Sequence, residues 1–93
     1  MNEKRAEELI KILKKHGGQE FDYDAGFAEP FLEAVGDDRE GLCKFLGGLS
    51  VEDLDWISGV LWRVREKWND GKMIKFLNGL VDKLKAEGYY FSW

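Results

Sequence analysis

The chain is short, rich in aromatic residues and mildly acidic. Its 93 residues carry a net charge of −4 and include four tryptophans, three tyrosines and six phenylalanines. A chain of this length forms one domain with little surplus buried surface, and large rings compensate because each buries about 150–250 Å². A single cysteine excludes an internal disulfide, and no stretch has the pattern of a signal core or a bilayer span. We therefore expect one helical domain over residues 1–93 of a cytoplasmic protein.

The acidic residues are concentrated in residues 18–40. This window holds eight acids against Arg39 alone, a net of −7, whereas the rest of the chain has 13 basic and 10 acidic residues. Such a local field repels nucleic acid and attracts basic protein surfaces. The alternative interpretation is a solvated acidic loop that only keeps the protein in solution.

Apolar residues at three- and four-residue spacing predict a first helix over residues 3–16. Asn2 is placed to cap it. In residues 21–31, rings alternate with acids, which indicates an irregular segment held to the core by its rings. Pro30 suits the first turn of a short helix that ends at Gly36.

A further helix is predicted over roughly 38–47, because Asp37 and Glu40 form a D-x-x-E capping box. The run KFLGGL at residues 44–49 returns as KFLNGL at residues 75–80. This spacing is typical of stacked helical hairpins of the HEAT or TPR kind. Such arrays need about three or more units, and two copies of six residues can arise by chance, so chance similarity is the favoured explanation.

The longest predicted helix is Leu49–Trp68. Ser50 and Asp53 form a capping signal, and acids near its start and bases near its end match the helix dipole. A turn at residues 69–71 separates it from a last helix over about 72–87, with Asp70 placed to cap this helix and Gly88 placed to end it. The sequence therefore predicts an all-α fold, a small bundle of four to five helices with a C-terminal antiparallel helix hairpin.

No residue set predicts a metal site, a cofactor site or a catalytic group. Asp22, Asp24 and Glu33 match three positions of the calcium-binding EF-hand loop, but Phe27 stands where that loop needs its glycine. The single histidine and the single cysteine are too few for a zinc site and lack the signature of a nucleophilic pair. We therefore expect no metal, no cofactor and no enzymatic activity.

Trp62 is singled out because it lies on the charged side of the predicted central helix, about 140° from the apolar stripe. A tryptophan in such a position can anchor an interface. The equally weighted alternative is that another element covers it, such as the aromatic tail, residues 89–93. The tail itself is expected to pack back on the core.

The run LSVEDLDWISGVL followed by VREKW, within residues 49–68, resembles helices of small, acidic, helical immunity proteins that accompany bacterial polymorphic toxins. The likeness covers about a fifth of the chain and contains no family-defining motif, so no functional residue is transferred. It implies a protein that binds and blocks a cognate toxin, often through a carboxylate-rich surface.

The leading hypothesis is a protein-binding module, an immunity or inhibitor protein that neutralises a basic toxin or effector. Neither a nucleic acid nor a membrane is expected as a partner. The alternative is a structural helical subunit, a HEAT-like hairpin-repeat fragment that forms homo-oligomers through the central helix and the aromatic tail. The predicted partner-binding residues are Asp22, Tyr23, Asp24, Glu29, Glu33, Asp37, Asp38 and Trp62.

Overall fold

Short helices joined by capped turns make up the chain. The computed structural model describes residues 1–17 and 21–93, and within these ranges it contains six α-helices, one π-helix and no strand. The all-α prediction is confirmed. No helix in the described ranges is both long enough and apolar enough to cross a bilayer. The elements are α1 (Glu3–His16), a π-helical turn (Asp24–Ala28), α2 (Glu29–Val35), α3 (Arg39–Gly47), α4 (Val51–Trp56), α5 (Val60–Lys67) and α6 (Gly71–Ala86).

The described residues group into two units, Met1–Leu46 and Gly47–Trp93. In the first unit, α1 packs on α2 and on the π-helical turn. In the second unit, α4 and α5 each pack on α6, and the three-residue link between α5 and α6 forms the predicted hairpin. That both units belong to one domain over residues 1–93 stays a prediction.

Each unit has its own set of buried apolar side chains. In the first unit these are Ala6, Leu9, Ile10, Leu13, Phe27, Ala28, Phe31, Val35, Leu42, Phe45 and Leu46. In the second unit they are Leu54, Ile57, Val60, Leu61, Val64, Met73, Leu77, Leu80, Val81, Leu84 and Phe91. The spacing within each helix follows the three- and four-residue pattern that aligns one face.

Three of the predicted N-caps are confirmed, and two glycines end helices as expected. The glycines are Gly36 and Gly88, whose φ angles of 60° and 87° favour a residue without a side chain. In each cap the side-chain oxygen accepts a hydrogen bond from the backbone N–H three residues on. The pairs are Asn2 with Arg5 at 3.0 Å, Ser50 with Asp53 at 3.2 Å, and Asp70 with Met73 at 3.0 Å.

The predicted cap of α3 is wrong by one residue, because Asp38 rather than Asp37 caps the helix. Asp38 Oδ1 accepts from the Gly41 N–H at 2.9 Å, and Asp38 Oδ2 pairs with the Met1 ammonium at 2.6 Å. A Cβ at Gly41 would collide with this carboxylate. The pKa of Asp38 is held below its ordinary value mainly by the Met1 ammonium and next by the hydrogen bond from the Gly41 N–H. The predicted capping box of Asp37 and Glu40 was based on local spacing alone, and such spacing does not reveal the contact between Asp38 and Met1.

The prediction of one continuous helix over residues 49–68 is also wrong. Residues 57–59 form a turn between α4 and α5, and the N–H groups of Ser58, Val60 and Leu61 donate to the carbonyl three residues back. Ser58 and Gly59 are weak helix formers, which favours the break here. Ile57 and Val60 are fully buried on either side of it, so the apolar stripe continues across the turn. Periodicity therefore could not reveal the break.

The segment before α2 is more regular than predicted. Residues 24–28 form a π-helical turn that continues directly into α2, where an irregular segment was expected. A Cβ at Gly26 would lie 2.7 Å from the Phe21 ring, so a larger residue there would force this ring to shift. The rings do hold the segment in place, since Phe27 and Phe31 are fully buried.

The two copies of the KFL echo occupy different structural positions. Gly47 ends α3 and Gly48 lies in the turn after it, whereas the corresponding residues Asn78 and Gly79 lie inside α6. The echo therefore does not mark two equivalent helical hairpins.

Alanine at Gly79 and alanine at Gly41 should change stability in opposite directions. Gly79→Ala should raise the free energy of unfolding by about 0.5–1 kcal/mol, because an exposed helix interior favours alanine. An added Cβ there meets no atom within 4 Å. Gly41→Ala should lower the free energy of unfolding, because the Cβ displaces the Asp38 carboxylate. Urea unfolding of both variants tests this, and shifts of the same sign would contradict it.

Asp38→Asn should destabilise the protein in a pH-dependent way, because asparagine keeps a capping oxygen but loses the charge facing the Met1 ammonium. The pKa of Asp38 in the folded protein is lower than the ordinary value of 3.8. The Asp38 carboxylate therefore stabilises the fold at pH values above 3.8, and this contribution is lost as the pH falls through the folded-state pKa. The difference between native chain and variant should shrink when urea unfolding is repeated from pH 7 down to about pH 2. A difference that does not change over this range would contradict the assignment.

Candidate protein-binding surfaces

Seven of the eight predicted partner-binding residues lie in the first unit, and Trp62 lies in the second. The first unit contains seven basic and eleven acidic residues, so it carries the whole net charge of −4, whereas the second has seven of each. Of the seven predicted partner-binding residues in the first unit, six have exposed carboxylates, and the seventh, Tyr23, is half-buried. We call the exposed group the acidic surface; its members are Asp22, Asp24, Glu29, Glu33, Asp37 and Asp38.

Two members of the acidic surface are fixed by bonds within their own unit. Asp22 Oδ1 accepts from the Ala25 N–H at 3.1 Å, which holds this carboxylate at the start of the π-helical turn. Asp38 is engaged by the Met1 ammonium and the Gly41 N–H. Asp22 uses one carboxylate oxygen in the bond from the Ala25 N–H, whereas both oxygens of Asp38 are occupied.

Tyr23 belongs to a row of rings beneath the acidic surface. Its ring centroid lies 5.4 Å from that of Phe27, which lies 5.3 Å from Phe31. Phe31 continues the row to Phe45 at 6.1 Å. The Tyr23 hydroxyl oxygen is closed off from solvent. The row therefore sets the position of the backbone that carries the acids, and only part of the Tyr23 ring is open to a partner.

Glu29, in the first turn of α2, suits the helix dipole, but its spacing to Glu33 does not favour folding. They stand one helical turn apart on α2 and are both exposed, and no ion pair to either is found among the described residues. Like charges at this spacing destabilise isolated helices by about 0.2–0.5 kcal/mol. Glu33 also lies in the last turn of α2, which holds no basic residue and where the helix dipole disfavours a negative charge.

Trp62 is partly covered and partly open. Its side chain is 40% exposed, and the Trp93 ring meets it edge-on, with centroids 5.4 Å apart and planes at 77°. The aromatic tail therefore does cover one side of Trp62, as one sequence interpretation held. The other side remains accessible, so the anchor role of Trp62 stays a prediction.

Trp93 is held by four side chains of the second unit. Its Nε1–H donates to Asn78 Oδ1 at 2.9 Å, and the Arg65 guanidinium carbon lies 4.9 Å from its ring centroid. Phe91 meets the same ring at 4.9 Å and 85°. We call Trp62, Arg65, Asn78 and Phe91 the indole seat. Sequence reasoning missed Arg65 and Asn78, because no local pattern links them to a tryptophan 15 or more residues away.

The rest of the aromatic tail is held unevenly. Phe91 is buried, whereas Tyr90 is 87% exposed. An open depression with a volume of about 500 Å³ runs along the tail and is lined by Lys85, Gly88, Tyr89, Tyr90, Phe91 and Ser92. The prediction that the tail packs back is therefore correct for Phe91 and Trp93 but not for Tyr90.

No group of three or more His, Cys, Asp or Glu side chains in residues 1–17 and 21–93 is arranged to hold a metal ion. Cys43 is half-buried on α3. Burial raises the pKa of its thiol, and the nearby charge of Arg39 opposes this only in part. The thiol is therefore protonated at neutral pH, a form that is a poor nucleophile and a poor metal ligand.

Trp62→Ala should lower the free energy of unfolding by about 1–2 kcal/mol, because the change removes one ring contact and partial burial. A fully buried tryptophan would cost about 3–5 kcal/mol. Tyr90→Ala is the control, since this exposed tail residue should change stability by less than about 0.5 kcal/mol. Urea unfolding distinguishes these values, and a loss of about 3 kcal/mol or more would place Trp62 in the core.

No protein-family model, curated protein or solved structure matches the chain. The resemblance of residues 49–68 to immunity proteins therefore stays a prediction. The two surfaces are accordingly interpreted from their own geometry and charge.

Proposed function

We propose that this protein is a protein-binding module that neutralises a basic partner, in the manner of an immunity or inhibitor protein. Its acidic surface receives the partner's basic surface. The partner is a toxin or effector whose activity is blocked when that basic surface is covered. The resemblance of residues 49–68 to immunity proteins points to the same role.

The observation that carries the proposal is the placement of Glu29 and Glu33. Neither is paired within the described residues, they repel each other across one turn, and Glu33 opposes the dipole of α2. A device for solubility alone does not require acids at such positions, because any exposed site would serve. Acids kept at a cost to folding are typical of a surface whose function is to bind.

The rigidity of the surface supports the same function. Asp24 stands on the π-helical turn, and Glu29 and Glu33 stand on α2; Phe27 and Phe31 of these elements are buried. Side chains on rigid elements lose less conformational freedom on binding than side chains on a mobile loop. Such a charge array accelerates association by long-range attraction and selects against acidic partners.

Self-association is a second candidate function, favoured by the contact between Trp62 and Trp93. The central helix pair and the aromatic tail lie together in a unit without net charge, and Trp62 and Tyr90 remain exposed there. Aromatic residues of this kind are common at interface centres. Sedimentation equilibrium of the native chain and of Trp62→Ala distinguishes this candidate from a monomeric binding module.

The first proposal is tested with Asp22→Asn, Glu29→Gln and Glu33→Gln combined in one chain. The fold should be kept, because asparagine preserves the oxygen that accepts from Ala25 and the other two side chains are exposed. Association with the partner captured by the native chain from its host should slow about tenfold or more at low salt, and the dependence of the rate on salt should flatten. Stopped-flow kinetics over a range of salt concentrations measures both effects.

The matched control combines Glu66→Gln, Asp82→Asn and Glu87→Gln, three exposed acids of the second unit. It makes the same change in net charge at another surface. If both triple variants slow association equally, only net charge matters and the acidic surface is not the binding site. If neither slows it, the acids of residues 18–40 serve solubility alone.

A further inference from the structure

The four contacts to Trp93 have the form of a ligand-binding site. Asn78 accepts the indole N–H at 2.9 Å, Arg65 lies over the ring at 4.9 Å, and Trp62 and Phe91 meet it edge-on. Trp62, Arg65 and Asn78 stand on α5 and α6, so most of the seat exists independently of the tail. We propose that the indole seat binds a tryptophan side chain from a partner's peptide segment, and that Trp93 is a built-in competitor for it.

The chemistry of the seat selects an indole over other side chains. Phenylalanine has no N–H to donate to Asn78, and tyrosine carries its hydroxyl at the far end of a smaller ring. Cation–π attraction to a guanidinium is strongest for tryptophan. Edge-on contact with Trp62 uses the charge distribution of the indole face and edge. The occupant is therefore a tryptophan-bearing segment, and the seated Trp93 shows how its ring lies.

The tail is built so that Trp93 can leave without unfolding its unit. Residues 89–93 have no helical hydrogen-bond pattern, and they follow Gly88, whose φ of 87° ends α6. The bond from Trp93 to Asn78 lies at the exposed surface, and an open depression of about 500 Å³ runs along the tail. Phe91 is buried and stays in place, so the exchange involves Trp93 alone.

Displacement of Trp93 would couple binding to a change in the exposed surface of the second unit. The partner's indole would replace Trp93 against Trp62 and Arg65, and the released Trp93 would be free to contact the partner. This inference uses the second unit alone and does not depend on the acidic surface. Its failure would therefore leave the proposed function untouched.

The experiment compares two synthetic peptides, each labelled with a dye at its amino end. The tryptophan peptide has the sequence of residues 88–93, and the alanine peptide is the same segment with Trp93→Ala. Binding to the full chain with Trp93→Ala is measured by fluorescence anisotropy. The tryptophan peptide should bind at least ten times more tightly than the alanine peptide. The native chain should bind it at least ten times more weakly than the Trp93→Ala chain, because the tethered tail competes at an effective concentration of about a millimolar or more.

Three control variants complete the test. Tyr90→Ala changes an exposed tail residue and should leave the native chain's weak binding unchanged. Asn78→Ala added to Trp93→Ala should weaken the tryptophan peptide about tenfold but not the alanine peptide. Far-UV circular dichroism checks the fold, and Trp93→Phe, which keeps a ring but no N–H donor, replaces Trp93→Ala if the latter loses helix.

Equal affinity for the two peptides, or no binding of either to a folded Trp93 variant, would overturn the proposal. If the native chain forms a dimer and Trp93→Ala abolishes it, the indole seat binds the tail of a second copy of this chain. That outcome would overturn the assignment of the seat to a partner's peptide segment. Stronger tryptophan-peptide binding with a monomeric native chain supports the proposal.

Discussion

Short helices constrain everything else in this protein. An isolated helix of fewer than about 12–15 residues is marginal in water, and four of the six α-helices in the described residues have nine or fewer. Their stability must come from packing of apolar faces and from side chains that satisfy their first N–H groups. Asp38 and Ser50 supply such caps to α3 and α4, whereas α2 and α5 have no side-chain cap and depend on packing. Asp38 adds a second role, because the same carboxylate joins the start of the chain to α3.

The same constraint gives meaning to the charges on α2. A helix of seven residues has little stability to lose, yet it carries Glu29 and Glu33 at repelling positions and has no base in its last turn. Packing of Phe31 and Val35 offsets this penalty, since both are buried. The first unit thus places buried rings inside, where they hold the backbone, and exposed carboxylates outside.

Elements with strong periodicity and clear caps were predictable from the sequence, and α1 agrees with its predicted bounds. The last helix begins and ends within one residue of its expected limits. The break between α4 and α5 was missed because Ile57 and Val60 keep the apolar stripe continuous through the turn. The π-helical turn was missed because alternating rings and acids have no helical signature of three- and four-residue spacing.

The candidate sites divide in the same way. Exposed acids could be found by counting charges, because charge concentration is a property of the sequence. The engagement of Asp38 could not, since its partner Met1 lies 37 residues away. The indole seat was hidden for the same reason, because Asn78 and Trp93 meet only through the fold. Interactions between distant residues depend on tertiary structure, which local patterns do not encode.

All four tryptophans, Trp56, Trp62, Trp68 and Trp93, belong to the second unit. The intrinsic fluorescence of this protein excited at the indole absorption band therefore reports on one half of the chain and is silent about the other. Helical circular dichroism, by contrast, has sources in both halves. The protein thus contains its own pair of regional spectroscopic probes, and superimposable melting curves from the two would mean that both units unfold as one cooperative body.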